Sequence, residues 1–156
     1  MKTLPQSHNE QDESRKTILY VEDEEANKDV AHLHLGSRWQ MVYAKNSREA
    51  CRRLKELGSR LYSVLMDIQL KGSEMNGVQL TRLIRGARDA NAPAYTQDVP
   101  TLDVPIIIVT AYADKFPLAT LQAAGASDVL YKPIDFVKLM GAITRANLRR
   151  VNRADG

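Results

Sequence analysis

Short apolar segments recur along the chain, and within each segment the apolar residues are consecutive rather than alternating with polar ones. Consecutive apolar residues are typical of parallel strands that helices cover on both faces of a sheet. The four clearest segments are residues 18–21, 64–66, 106–109 and 129–131. A fifth, weaker segment at residues 41–44 is predicted to form an edge strand.

Between these strands, apolar residues recur three and four positions apart, which is the spacing of helices that bury one face. The first predicted helix has the apolar stripe Ala26, Val30 and Leu33. The other four have the stripes Ala50, Leu54 and Leu57; Leu80, Leu83, Ile84 and Ala87; residues 116–124; and Phe136, Leu139, Met140 and Ile143. Strand and helix therefore alternate five times, which predicts an α/β fold of the (βα)5 type with a doubly wound, parallel, five-stranded sheet.

A chain of 156 residues suits one domain with a hydrophobic core. Residues 1–15 lack an apolar pattern and are predicted to be a disordered tail; the folded domain is expected at residues 16–152 and a short tail at residues 153–156.

No apolar stretch could span a bilayer or serve as a signal peptide, so we expect a cytoplasmic protein without membrane contact. The net charge of +3 comes largely from the last helix, whose basic residues we interpret as a solvated face, so nucleic-acid binding is not expected.

Polar residues follow four of the predicted strands directly. They are Glu22 and Asp23, Asp67, Thr110, and Lys132. In open α/β sheets, ligands bind beyond the carboxyl ends of the strands, so these side chains are expected to meet at one edge. Three crowded carboxylates repel one another unless they are protonated or a cation neutralises them, and oxygen ligands favour a hard divalent ion such as Mg²⁺. The chain lacks the glycine-rich loop G-x-x-x-x-G-K-[ST] of nucleotide sites, which leaves phosphoryl chemistry with Asp67 as nucleophile.

Four segments in this order, I-L-Y-V-E-D-E-E, V-L-M-D-I-Q-L, I-I-I-V-T-A and G-A-S-D-V-L-Y-K-P, resemble the receiver domain of two-component response regulators. The resemblance covers residues 16–150 and implies the flavodoxin-like strand order 2-1-3-4-5. It implies that Asp67 accepts a phosphoryl group and that Asp23 binds Mg²⁺ directly. Glu22 would bind the ion through water, and the backbone carbonyl of Gln69 would supply a further ligand.

The same resemblance implies roles for residues after the fourth and fifth strands. Thr110 would be the hydroxyl that turns toward the phosphoryl group, and Lys132 the ammonium group that pairs with it. The Lys132–Pro133 peptide bond is expected to be cis.

The sequence departs from the family pattern in three places. The position of the family's switch aromatic, three residues before the lysine, holds Val129, and Tyr131 is not an obvious substitute. Gly77 lies ten residues beyond Asp67, where the family typically has eight, so residues 71–74 include about two extra residues, which we expect to influence the choice of kinase. The connection at residues 89–103 is also elongated.

The resemblance implies a stand-alone, single-domain response regulator with no enzymatic activity beyond Mg²⁺-dependent self-phosphorylation and autodephosphorylation. Its phosphoryl donor would be a sensor histidine kinase or a histidine phosphotransfer protein, and its output would pass through contacts with an unidentified target protein. A homodimer through the fourth helix, fifth strand and fifth helix is a further candidate interaction.

Two alternative functions stay open: a pseudo-receiver scaffold that acts without phosphorylation, which Val129 favours, and a haloacid-dehalogenase-like phosphatase. Gln69 disfavours the phosphatase because that class needs an acid at this position.

Overall fold

A computed structural model describes residues 15–112 and 114–155 of the protein. The predicted disordered tail therefore lies, apart from Arg15, outside the described residues. Among those residues, no helix combines the length and the apolar character needed to cross a membrane.

Five parallel strands form one sheet in the order β2-β1-β3-β4-β5. The strands are β1 (Thr17–Val21), β2 (Gln40–Ala44), β3 (Leu61–Asp67), β4 (Ile106–Thr110) and β5 (Asp128–Tyr131). The helices that alternate with them are α1 (Glu25–Leu35), α2 (Ser47–Leu57), α3 (Gly77–Ile84), α4 (Leu118–Ala124) and α5 (Phe136–Asp155). The predicted (βα)5 fold, the strand order 2-1-3-4-5 and the edge position of β2 are confirmed.

The sheet separates two apolar layers, which explains why its strands are apolar on both faces. Leu19 and Val21 of β1 pack toward the layer beneath α2, α3 and α4. Their neighbours Ile18 and Tyr20 pack toward the layer beneath α1 and α5, which also includes the buried Trp39. Strand β4 divides its residues between the two layers in the same alternating way.

The start of α2 and the start of α3 are both fixed by side-chain caps. The side chain of Asn46 accepts a hydrogen bond from the Glu49 amide, which caps α2. Asn76 and Gln79 form a reciprocal capping box at the start of α3. These caps satisfy backbone donors that have no partner within the helix. The capping box of α3 also marks the end of the loop that follows Asp67.

The predicted buried face of α1 is wrong. Val30 and Leu33 are 47% and 79% exposed, whereas Ala31 and Leu35 are buried against the sheet. Both pairs have helical spacing, and the packing of α1 beside Trp39 selects the second pair.

The other helices differ from expectation mainly at their ends. Helix α3 ends at Ile84, so Ala87, predicted to lie in its stripe, is exposed in the following turn. Helix α5 continues to Asp155 and so includes residues 153–155, which are predicted from the sequence to belong to a C-terminal tail. The long connection between α3 and β4 contains a short 3₁₀ turn at Ala94–Thr96.

Candidate functional site

The carboxyl ends of four strands bring the predicted polar residues to one edge of the sheet. Strand β1 is followed by Glu22 and Asp23, β3 ends at Asp67, β4 ends at Thr110, and β5 is followed by Lys132. Glu22, Asp67 and Thr110 are 4%, 6% and 0% exposed, respectively. The fold therefore places charged and polar groups where little water reaches them.

Three carboxylates share this small volume with one ammonium group. One oxygen each of Glu22, Asp23 and Asp67 lies within 4.8 Å of the other two. The Lys132 Nζ lies 2.9 Å from Asp67 Oδ2 and 3.3 Å from Glu22 Oε1. The side-chain amide of Asn27, in the first turn of α1, donates a hydrogen bond to Glu22 Oε1. A single lysine thus neutralises only part of the negative charge.

Burial and crowding shift the protonation of this cluster. Burial raises the pKa of the Glu22 carboxyl and the hydrogen-bonded Asp67 adds to the rise, while Asn27 and Lys132 oppose it. Burial by itself would lower the pKa of the Lys132 ammonium group, but the carboxylates of Asp67 and Glu22 outweigh that effect and raise it. The lysine is therefore held in its charged form by the two acids.

The ends of β4 and β5 are joined next to the acids. The Lys132 amide donates a hydrogen bond to the Thr110 carbonyl oxygen at 2.8 Å. The Thr110 hydroxyl accepts one from the Tyr112 amide at 3.0 Å. The Lys132–Pro133 peptide bond is cis. Thr110 thus contacts its own loop and has a hydroxyl available at the edge where the acids lie.

The loop after Asp67 folds back onto the acid pair. The backbone amide of Lys71 donates a hydrogen bond to Asp23 Oδ2 at 3.1 Å. At the end of the loop, Gly77 packs so tightly that an added Cβ would lie 2.0 Å from the Asp67 carbonyl oxygen. Gln69, half-buried, lies between Asp67 and Lys71. The loop is therefore attached both to the end of β3 and to Asp23.

Strand β5 presents no aromatic side chain at the position that the family pattern would fill with one. Val129 is half-buried and packs against the apolar layer beneath α2, α3 and α4. Tyr131, two positions along the strand, is 46% exposed. The side chain at residue 129 is thus too small to reproduce an aromatic that rotates between the interior and the surface.

Two residues of the site were not predicted. Asn27 could have been found from its position in the first helical turn after the acid pair. Tyr20 looks like an ordinary apolar strand residue in the sequence, yet burial and the nearby charges of Glu22 and Asp67 raise the pKa of its hydroxyl. Its proximity to the acids follows from the pairing of β1 with β3, which no local pattern reveals.

The donor set fits a hard divalent cation. Glu22, Asp23 and Asp67 offer oxygen ligands only, at separations that one ion could bridge. Mg²⁺ commonly binds through one or two carboxylates and keeps several waters, which suits an edge where Asp23 is partly exposed. The acidic cluster could therefore bind such an ion.

The raised pKa of Glu22 predicts how stability depends on pH in the cation-free protein. The folded state holds a proton that the unfolded state releases above its ordinary pKa of about 4.3. The stability that this proton contributes to the folded state is fully present below the ordinary pKa of Glu22. It is lost as the pH rises through the higher pKa that Glu22 has in the folded state. With a chelator present, the thermal unfolding midpoint should fall between about pH 5 and pH 8, and the decline should be smaller in Glu22→Gln.

The matched control is Glu56→Gln, which alters an exposed glutamate of α2 and should keep the wild-type slope. Adding Mg²⁺ should restore part of the lost stability of the wild type at pH 8, because a ligand of the folded state stabilises it. A slope that is identical in Glu22→Gln and wild type would contradict the assignment.

Comparison with known proteins identifies the family of this chain. The family model "Response regulator receiver domain" matches residues 18–144. Response regulator mcs4 of Schizosaccharomyces pombe is 32% identical over 143 residues, which cover 81% of this chain and 27% of that protein. The chain spans about a third or less of the length of the curated relatives it matches.

Solved structures of receiver domains have the same fold. One of them is the receiver domain of sensor histidine kinase PA1611 from Pseudomonas aeruginosa PAO1, which was determined with a magnesium ion coordinated in its active-site cleft. It matches this chain with a TM-score of 0.64 and 27% sequence identity, and the match covers 86% of this chain and 98% of that one. A CheY-like receiver domain protein from Methanospirillum hungatei JF-1 has a TM-score of 0.70 and 22% identity, covering 90% and 99%. Receiver domains are signalling modules that interact with histidine kinases or phosphotransfer proteins. By sequence and fold, this chain belongs to the response regulator receiver family.

Proposed function

We propose that this protein is a phospho-accepting response regulator that works in the cytoplasm with Mg²⁺. Its phosphoryl donor would be a sensor histidine kinase or a histidine phosphotransfer protein, and its output would pass through protein contacts. The observation that carries the proposal is the environment of Asp67. Its carboxylate is nearly buried at the end of β3, beside two further acids and 2.9 Å from the Lys132 ammonium group.

The transfer step follows from nucleophilic catalysis by a carboxylate. An oxygen of Asp67 forms a bond to phosphorus as the bond between phosphorus and the donor's imidazole nitrogen breaks. The imidazole keeps the electron pair of that bond and takes up a proton. Lys132 then lies where it can pair with the phosphoryl oxygens, because it already contacts the accepting carboxylate.

Other residues of this edge would hold the cation. Asp23, Asp67 and the backbone carbonyl of Gln69 would be direct ligands, and Glu22 would bind through water. When bound, Mg²⁺ supplies positive charge that offsets the repulsion between the acids and an incoming phosphoryl group. Asn27 keeps the Glu22 carboxylate oriented through its hydrogen bond.

The product would carry more negative charge than the free carboxylate, and this change would drive the response. The Thr110 hydroxyl would leave the Tyr112 amide and bond a phosphoryl oxygen. Because β4 and β5 are paired at Thr110, the surface of α4, β5 and α5 would adjust. The exposed apolar side chains of this surface include Leu118, Tyr131 and Val137, and the surface is a candidate for target binding or homodimer formation.

The exposed face of α1 supports a separate docking surface for the phosphoryl donor. Helix α1 begins two residues after Asp23, and it presents Val30 and Leu33 to solvent at 47% and 79% exposure. A partner that delivers a phosphohistidine to Asp67 would cover this apolar surface, which would otherwise remain in contact with water.

The acceptor assignment predicts that Asp67→Asn removes phosphoryl uptake. Incubation with acetyl phosphate and Mg²⁺ should add one phosphoryl group to the wild type, as measured by intact-mass spectrometry, because an amide oxygen is a poor nucleophile. The control Asp89→Asn, in the exposed part of the long connection, should react like wild type. A chelator should suppress phosphoryl uptake in the wild type and in Asp89→Asn. Unchanged uptake in Asp67→Asn would exclude this residue as the acceptor.

The docking assignment predicts different effects for protein donors and small-molecule donors. In a profile of purified histidine kinases and phosphotransfer proteins, Leu33→Glu should slow transfer from the active donor by at least about tenfold, because it places a charge in an apolar contact. Uptake from acetyl phosphate should stay at the wild-type rate. The control is Leu148→Glu, at an exposed leucine of α5 near the start of β3. Equal effects of the two substitutions would contradict donor docking on α1.

A further inference from the structure

The two elongated segments of the chain contact each other at the start of α2. One is the loop after Asp67, at residues 68–76, and the other is the connection between α3 and β4, at residues 85–105. They meet at three hydroxyl groups, those of Ser47, Ser73 and Tyr95, which we name the Ser47 cluster. Ser47 is 1% exposed, so its polar groups depend on protein partners rather than on water.

Hydrogen bonds join all members of the Ser47 cluster. The hydroxyl groups of Ser47 and Tyr95 are 2.6 Å apart. The Ser47 amide donates to Ser73 Oγ at 2.9 Å, and Ser73 Oγ donates to the Met75 carbonyl oxygen at 2.7 Å. The Met75 amide donates back to Ser47 Oγ at 3.3 Å. The second half of the loop is therefore bound to α2 and, through Ser47, to Tyr95.

The first half of the same loop contacts the acid pair. The Ser73 amide donates to the Leu70 carbonyl oxygen at 3.2 Å and closes a tight turn in which Gly72 has a φ of 70°. Within this turn, the Lys71 amide donates to Asp23 Oδ2 at 3.1 Å. Ser73, which binds Ser47, thus also closes the turn that places the Lys71 amide on Asp23.

Tyr95 itself is held in place by its surroundings. The Arg48 guanidinium lies 4.8 Å from the centre of the Tyr95 ring and 3.8 Å from Glu74 of the loop. Next to Tyr95, the buried Thr96 bonds the Pro93 carbonyl oxygen. Arg88 donates to the Val99 carbonyl oxygen at 2.7 Å and to the Leu83 carbonyl oxygen at 2.9 Å, which ties the connection to the end of α3. The connection is therefore a fixed support for the loop.

We propose that Tyr95 is a positioning residue for the cation site: through Ser47 and Ser73, its hydroxyl holds the loop so that the Lys71 amide orients the Asp23 carboxylate. This inference rests on the proposed function, since it concerns the affinity of the same site for Mg²⁺. One Asp23 oxygen accepts the amide, and the carboxylate is then oriented with its second oxygen available to an ion. Groups that orient a metal ligand in this way commonly change metal affinity by 10- to 100-fold when they are removed.

The test compares Tyr95→Phe with wild type in the full chain. Phenylalanine keeps the ring beneath Arg48 and removes only the hydroxyl that bonds Ser47. Because Tyr95 acts on Asp23 only through Ser47, Ser73 and the turn, we expect the Kd for Mg²⁺, measured by calorimetric titration, to rise about fivefold, which corresponds to the loss of one hydrogen bond. Exchange of the Lys71 amide hydrogen, measured by NMR without Mg²⁺, should become faster. Phosphoryl uptake at saturating Mg²⁺ should keep its wild-type rate, which separates positioning from chemistry.

Two further variants complete the test. Ser73→Ala, which removes the middle contact, should raise the Kd for Mg²⁺ at least as much as Tyr95→Phe. The control is Tyr62→Phe, at a half-buried tyrosine near the start of β3, the end of the strand away from Asp67. It should change neither the Kd for Mg²⁺ nor the exchange rate of the Lys71 amide.

An unchanged Kd for Mg²⁺ in both Tyr95→Phe and Ser73→Ala would overturn the positioning role. So would a lower thermal midpoint without a change in Kd, because it would show that Tyr95 contributes only to stability. A wild-type protein without measurable Mg²⁺ affinity would overturn the proposed function instead. In that case, the exchange rate of the Lys71 amide alone decides whether Tyr95 holds the loop.

Discussion

The structure depends on the balance of charge among buried groups at one edge of the sheet. Glu22 and Asp67 are almost fully removed from water, and an isolated buried carboxylate is costly unless a counter-charge or a hydrogen bond compensates it. Lys132 contacts both, so it compensates part of their charge and is itself held in the charged form. The remaining negative charge, together with Asp23, makes this edge suited to a small divalent cation. In the function that we propose, an anionic phosphoryl group would then approach because the cation and the lysine together offset the acids.

The parallel sheet makes this arrangement possible. The inner strands β1, β3 and β4 are mainly apolar on both faces, and polar site residues stand where they leave the two apolar layers. The acids and the lysine come from the ends of β1, β3 and β5. In the sheet β1 adjoins β3, and β4 lies between β3 and β5, so residues that are far apart in the chain meet without any local motif. The same edge is supported from one side by the loop after Asp67. Gly77 brings the start of α3 against the Asp67 backbone, and the Ser47 cluster joins that loop to the long connection.

Much of this could be predicted from the sequence because two of its signals are strong. Consecutive apolar runs predict the strands, and the polar residue that ends each run predicts the site. The buried face of α1 could not be predicted in this way, since both of its apolar pairs have a spacing that suits a helix and only packing beside Trp39 distinguishes them. The Ser47 cluster has no signal of its own. Ser47, Ser73 and Tyr95 are ordinary polar residues whose partners lie 26 and 48 positions away in the chain.

The central claim is that Asp67 accepts a phosphoryl group within a cation site formed by its neighbouring acids. The most direct measurement is a crystal structure of the protein with Mn²⁺ and beryllofluoride, which mimics a phosphoryl group on a carboxylate. We expect beryllofluoride attached to an oxygen of Asp67 and anomalous density for the ion beside Asp23 and Asp67. We also expect the Thr110 hydroxyl to have moved from the Tyr112 amide to a fluorine atom. An unmodified Asp67, with the ion bound elsewhere, would contradict it.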